Sequence, residues 1–404
     1  MPIWVMGTEE RGRDTITTLN SSSRPGDWFW GFWPLVPIYP YARRQTLRQE
    51  IIPDTLWTFE QVQGIFYVVV PVRMTVVKLE AGGLLVYSPV APTPECKRLL
   101  RELEAQHGEV KYIILPTISG LEHKVFVGPF ARCFPNAQVY VAPQQWSFPI
   151  DLPLSWLGFP PERTEVLPPD SSKTPFADEF DYEILGPIDL GLRPFSEVAF
   201  FHKRSRSLLV TDTIVSIPEE PPEVVQLDPY PLLFHARDEA RDRIEDSPQL
   251  RRKGWQRICL FALYFRASVL DTIPLLKAFL LASNAPERSK KAYFGIYPFK
   301  WKENWQQSFA ALRKSNLLVA PILQTLILNR NSKETLNWAK RIGRWDFKRI
   351  VPCHFSAPIT ADWQQFREAF TFLEGKNSLP RADFEVMEQI DEILVRTRIV
   401  PPAR

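Results

Sequence analysis

From Ile65 the chain reads Ile-Phe-Tyr-Val-Val-Val-Pro-Val-Arg-Met-Thr-Val-Val-Lys-Leu, ending at Leu79. This density of β-branched and aromatic residues predicts strands. Gly82-Gly83 marks a hairpin turn, and Leu84 to Ser88 is the next strand. Residues 94–106 switch to helical spacing, with Leu99, Leu100 and Leu103 on one face. A strand from Lys111 to Pro116, a short helix and a strand from Ala137 to Ala142 follow. The order ββ then βαβ implies a layered α/β protein. A second block of strands is expected at 180–185, 198–202 and 207–212. Residues 217–350 read as mainly helical, a last strand runs from Arg349 to His354, and a helix is expected at about 361–375. No internal repeat is visible.

Residues 1–25 are polar and read as a frayed end. Residues 27–41, DWFWGFWPLVPIYPY, are too rich in proline for a regular helix. They read either as an extended arm packed across a groove of their own domain, or as a contact with a membrane or partner. The length of 404 residues exceeds one small core. The expected partition is an N-terminal arm (1–56), a core (57–216), a helical insertion (217–346) and a return of the core (347–404).

The net charge of +3 gives no nucleic-acid signal, and no specific nucleic-acid partner is expected. Four cysteines without a CxxC pair argue against a disulfide framework and for a reducing compartment. No signal peptide is expected at the N-terminus. The longest apolar stretch, Cys259 to Ser283, is broken by Arg266, Asp271, Pro274 and Lys277, so no membrane span is expected. Charge is split within the insertion. Residues 216–250 carry nine acidic against three basic residues, and 251–315 carry thirteen basic against three acidic. The split reads as solvated helix faces, or as a basic face for an anionic partner such as a membrane surface, with Arg251, Arg252 and Lys253 as its markers.

The candidate chemistry lies at Thr117-Ile118-Ser119-Gly120-Leu121-Glu122-His123, where a buried strand turns into a helix. Such strand ends project ligands rigidly. The segment resembles the Thr-His-x-His-x-Asp-His motif of the metallo-β-lactamase superfamily, with Ile118 and Gly120 in place of the first two histidines. Later landmarks follow in the same order: Leu192 to Phe200, with Arg193 at a histidine position; the strand ending in Asp212; and Val351-Pro352-Cys353-His354. The run Gly120-Leu121-Glu122-His123-Lys124 is similar to the cyanobacterial and chloroplast family called domain of unknown function 4336. The resemblance implies an α/β fold, a metallo-β-lactamase-like αββα sandwich with a large mainly helical insertion. It also implies a cyanobacterial cytoplasmic or plastid stromal address, peripheral to the thylakoid membrane in one version. It maps Glu122, His123, Asp212 and His354 onto the ligands of the second metal, while those of the first are lost.

Two imidazoles and two carboxylates suit one divalent ion, whether zinc, iron or manganese. The competing reading is a retired site whose groups hydrogen-bond one another. Arg193 and Asp212 are the candidate catalytic residues, Arg193 to hold an anionic substrate group or developing charge. Of the other histidines, His202 is expected to be exposed at a hairpin tip, and His107 to cap a helix end. His235 is expected either in helix packing or over the site mouth, and Cys353 in the core. Two functions follow: a single-metal hydrolase of an unknown small-molecule substrate, or a non-catalytic scaffold or assembly factor that docks a protein partner through the insertion. A one-iron redox protein is a third option.

Overall fold

The computed structural model describes residues 24–31, 38–118, 122–146, 152–191 and 193–403. The readings of residues 1–23 and 32–37, and of Ser119, Gly120, Leu121 and Leu192, lie outside the described residues.

Two sheets stack face to face. The first has seven strands in sequence order: β1 (Leu47–Ile52), β2 (Leu56–Ile65), β3 (Val68–Lys78), β4 (Leu84–Tyr87), β5 (Val110–Leu115), β6 (Gln138–Val141) and β7 (Thr164–Val166). It is antiparallel up to β4 and parallel from β4 onward. The parallel half needs crossovers, and helices α1 (Pro94–His107) and α2 (Lys124–Cys133) supply them. Helix α1 opens on Thr93, whose hydroxyl accepts from the Cys96 amide at 3.2 Å. It closes at Gly108, whose φ of +96° favours glycine.

The second sheet holds β8 (Phe180–Ile188), β9 (Phe195–His202) and β10 (Ser207–Val210), then two strands from the far end of the chain, β13 (Arg349–Pro352) and β14 (Ile359–Thr360). Its order is β14-β13-β10-β9-β8. Only β10 and β13 run parallel.

Three apolar layers fix the stacking. Leu85, Tyr87 and Ile114 of the first sheet meet Phe180, Phe200 and Val351 of the second between the sheets. The outer face of the first sheet packs Met74, Val86 and Ile113 against Leu99 and Leu103 of α1 and Phe130 of α2. The outer face of the second sheet packs Ala199, Leu208 and Ile350 against Trp255, Ile258 and Trp338. The layers are therefore α/β/β/α, as expected.

Between β10 and β13 the chain forms α3 (Glu223–Gln226), α4 (Tyr230–Ala236), α5 (Pro248–Tyr264) and α6 (Leu275–Ala282). It continues through α7 (Trp305–Arg313), α8 (Pro321–Leu326) and α9 (Ser332–Ile342), with a small hairpin of β11 (Leu270–Thr272) and β12 (Phe299–Trp301). Gly254 in α5 lies where a Cβ would collide with the Leu232 carbonyl of α4, so the two helices touch backbone to backbone there. Part of the charge split is met internally. Arg251 pairs with Asp246, Arg252 with Glu220, Lys253 with Asp238 and Arg313 with Glu219.

Several expectations need correction. His202 is buried, because its position opposite Phe180 in the β8–β9 register stacks the two rings at 4.8 Å. The N-terminal arm (1–56), expected to be partly irregular and without an assigned strand, contains β1, which edges the first sheet. Instead of one helix at 361–375, the end of the chain holds α10 (Trp363–Glu368) and α11 (Glu385–Arg396). His235 is in helix packing, its Nε2 3.0 Å from the Phe66 carbonyl. His107 is the last residue of α1 and stacks on Trp57 at 5.0 Å. Cys353 is buried in the inter-sheet core.

Candidate metal centre

The site is built at the C-terminal ends of the two parallel strand pairs, where α/β proteins collect ligands. In the first sheet β4 runs out at Ser88, and β5 runs out at Pro116-Thr117, ahead of Glu122 and His123 at the start of α2. In the second sheet the register pairs Val210 with Pro352. Two residues further along each strand stand Asp212 and His354, side by side. One ligand atom from each of Glu122, His123, Asp212 and His354 lies within 4.8 Å of all the others. His354 Nε2 is 3.1 Å from Asp212 Oδ1 and 3.4 Å from Glu122 Oε2, and His123 Nε2 is 3.8 Å from Asp212 Oδ1.

The far nitrogen of each imidazole is anchored. His354 Nδ1 donates to the Pro71 carbonyl at 2.8 Å, which leaves the lone pair of the neutral ring on Nε2, facing the cluster. His123 Nδ1 lies 2.8 Å from Ser88 Oγ. Both Nε2 atoms are buried; that of His354 pairs with Asp212 Oδ1 at 3.1 Å, while that of His123, 3.8 Å from the same oxygen, is beyond hydrogen-bond distance. Buried nitrogens without partners are uncommon. A tetrahedral site with bonds of about 2.1 Å has ligand-to-ligand separations of about 3.4 Å. The three measured separations bracket that value, so the residues fit a divalent ion.

The loops that carry the ligands are themselves gripped from below. Glu197 of β9 is fully buried and accepts from the amides of Thr211 (2.8 Å), Asp212 (3.0 Å) and Thr213 (3.0 Å), and from the Thr213 hydroxyl (2.8 Å). Arg73 of β3 pairs with Glu60 at 2.6 Å and donates to the carbonyls of Pro352 and, at 2.7 Å, Phe355. Arg73 thus holds the carbonyls of Pro352 and Phe355, which flank the Cys353-His354 pair.

Burial lowers the His354 imidazole, but Asp212, Glu122 and the Pro71 carbonyl outweigh it and raise it to about 9. Burial pushes the Asp212 carboxyl up, and the two neighbouring imidazoles overcome this and hold it well below the usual carboxylate range. Burial and the charge of Asp212 push the Glu197 carboxyl up, against its four donors.

All four sequence-derived candidate ligands therefore meet. Arg193 is exposed, with its guanidinium 6.0 Å from the centre of the Trp146 ring. Trp146 in turn donates to Pro194 O at 3.1 Å and accepts from Lys124 Nζ at 2.6 Å, so Arg193 connects through Trp146 to the residue after His123. Ile118, at a lost histidine position, is fully buried between the sheets. Ser88, Arg73, Glu60 and Glu197 were not singled out in the sequence. For Arg73, Glu60 and Glu197 the signal was there, because lone charges inside strands are almost never buried without a partner; Ser88 gave none. A cavity of about 850 Å3, lined by Tyr39, Tyr67, Lys291 and Phe294 among others, includes none of the four cluster residues.

No curated protein matches the chain in sequence. Among solved structures it is similar to a metallo-β-lactamase from Pontibacter korlensis, at 9% identity and a TM-score of 0.38, covering 83% of this chain and 100% of that one. It is similar to the metallo-β-lactamase FIM-1 from Pseudomonas aeruginosa in its mono-zinc form, at 10% identity and a TM-score of 0.35, covering 83% and 97%. A flavo di-iron protein from Thermotoga maritima gives 8% identity and a TM-score of 0.42, covering 82% and 64%. The sequence itself matches one family over residues 53–372, and the chain belongs to it: Domain of unknown function (DUF4336).

Proposed function

We propose that the protein is a single-metal hydrolase whose ion is held by Glu122, His123, Asp212 and His354. The observation that carries this reading is the convergence of two buried Nε2 atoms and two carboxylates within 4.8 Å of one another, with His123 Nε2 still 3.8 Å from Asp212 Oδ1. In a retired site all four groups would satisfy each other by hydrogen bonds, which His123 Nε2 does not do at that distance. A mixed nitrogen and oxygen set suits zinc, iron(II) or manganese. The ion, when bound, supplies Lewis acidity toward an ester, thioester or phosphoester.

The chain's own residues do the rest. Glu122 is the most exposed of the four, with 43% of its side chain open to solvent. Placed at the rim, it takes a proton during attack on the substrate. Asp212 is fixed by Glu197 and holds the two imidazoles in orientation. Arg193, on the Trp146 face, binds an anionic part of the substrate.

The test is metal content by elemental mass spectrometry on protein purified without chelators, beside a His123→Ala, Asp212→Ala double variant. About one ion per native chain, and none in the variant, supports the reading and justifies a screen of esters, thioesters and phosphoesters. Native protein that stays metal-free after reloading with zinc, iron(II) and manganese overturns it. Arg193→Ala with unchanged substrate affinity removes Arg193 from the mechanism.

A further inference from the structure

Helix α6 carries its apolar residues on the outside. Leu276 is 77% exposed, Leu275 and Leu280 are 67% exposed, and Phe279 is 59% exposed. Only Ala278 and Ala282 are buried, so two methyl groups seat the helix. A soluble surface helix does the opposite, turning leucines inward and charges outward. The chain then folds back beneath the end of the helix. Gly295 sits so close that a Cβ would lie 2.8 Å from Ala285 and 2.9 Å from the Ala282 carbonyl. Beside it Phe294, with a φ of 58°, is 63% exposed. Contiguous exposed apolar surface of this kind marks an interaction site.

The charge around the patch is basic on balance, with Asp271 and Glu287 as the acidic residues of the same segments. Lys277 lies on the helix, Lys290 on the segment leading to Phe294, and Lys300 on β12 where it pairs with β11 just before α6. Among the described residues none of these three lysines has a carboxylate within ion-pair distance. Arg251, Arg252 and Lys253, the basic cluster suggested by the sequence, are by contrast all matched by carboxylates.

We propose that α6 and Phe294 form a docking element that seats on an anionic lipid bilayer. The leucines and phenylalanines enter the boundary between headgroups and acyl chains, and the lysines reach the headgroup charge. The patch suits lipid better than a protein partner. The exposed apolar side chains of the short helix itself are Leu and Phe, without the Trp, Tyr or Arg anchors that dominate protein interfaces. No helix among the described residues is long and apolar enough to cross a membrane, so the contact is one of lying on the surface.

The experiment is flotation of the full-length protein with vesicles of phosphatidylcholine, alone or with a third of the lipid replaced by phosphatidylglycerol. The native chain is expected to float with the anionic vesicles, more weakly with neutral ones, and less as salt rises. Leu276→Glu with Phe279→Glu is expected to lower the partition at least tenfold while leaving the melting temperature unchanged, because both side chains already face solvent. Lys277→Gln with Lys300→Gln is expected to lower it severalfold and flatten the salt dependence. No flotation of the native chain overturns the proposal, as does undiminished flotation of the glutamate variant. A native dimer that becomes monomeric in that variant, with neither form binding vesicles, assigns the patch to a second copy of the chain and also overturns it.

Discussion

Removing Arg73 tests whether the centre depends on its support. Arg73 and Glu60 are a buried pair, with side chains 2% and 5% exposed. In Arg73→Met the Glu60 carboxylate loses its counter-charge in a site closed to water. Breaking a buried pair from one side costs about 3–5 kcal/mol. The carbonyls of Pro352 and Phe355 lose a charged donor in the same step. That loss overlaps with the first, because one guanidinium supplies both, so the costs do not simply add. About 4 kcal/mol is the expected total, which for a chain of this size moves the urea midpoint down by roughly 1 M. Unfolding followed by tryptophan fluorescence reads it directly. The double variant Arg73→Met, Glu60→Gln removes the stranded charge and is expected to recover more than half of the loss. Metal affinity is expected to fall about tenfold in both variants, since His354 keeps its ring but loses the grip on its flanking backbone. A single variant that loses less than about 1 kcal/mol, or a double variant no more stable than the single, would refute the reasoning.

Glu197→Gln places an amide NH2 among donors that now meet a carboxylate, and is expected to cost about 2–3 kcal/mol and to weaken metal binding, read by denaturation and by metal titration. Metal binding is expected to be pH-dependent. The His354 imidazole is raised to about 9 in the metal-free protein, so its contribution to stability is complete below the ordinary value near 6.5 and is lost as pH rises through about 9. Metal needs the neutral ring, so affinity rises over the same interval, and calorimetry at pH about 7 in buffers of different ionisation enthalpy is expected to show a proton released per ion; no release contradicts the assignment. Gly254→Ala drives a methyl into the Leu232 carbonyl and is expected to destabilise by about 1–3 kcal/mol in thermal unfolding.

What could be read from the sequence follows how local each signal is. The strands of the sheets announce themselves because β-branched runs such as Val68 to Val77 are buried on both faces. The four ligands were found through the resemblance, because the order of the strand ends matches a superfamily whose metal ligands stand at those places. Strand β1 was missed because an edge strand carries polar residues; its Arg48 reaches back to the Leu99 carbonyl of α1 at 2.8 Å. His202 was misjudged for a related reason. Its neighbours Lys203, Arg204 and Arg206 suggest an exposed tip, and only the pairing with Phe180 reveals the ring contact. The charge split was visible, but not that Glu219, Glu220, Asp238 and Asp246 fold back onto the basic half. The supports of the centre were the hardest to see. Arg73 meets its carbonyls from almost the opposite end of the sequence, and no periodicity encodes such a contact.

The parallel pairing of β10 with β13 places Asp212 and His354 at the two ends of one long excursion of the chain. Every helix from α3 to α9 is strung between these two ligands, so an ion that joins them acts as a clasp on a closed loop. A clasp on a long loop is where cross-linking removes most freedom from the opened chain. Its release is therefore expected to loosen the whole excursion, α6 included, as faster amide exchange along it. Thermodynamic reciprocity carries the effect back. Whatever factor the ion applies to events on α6, an event on α6 applies to the hold on the ion.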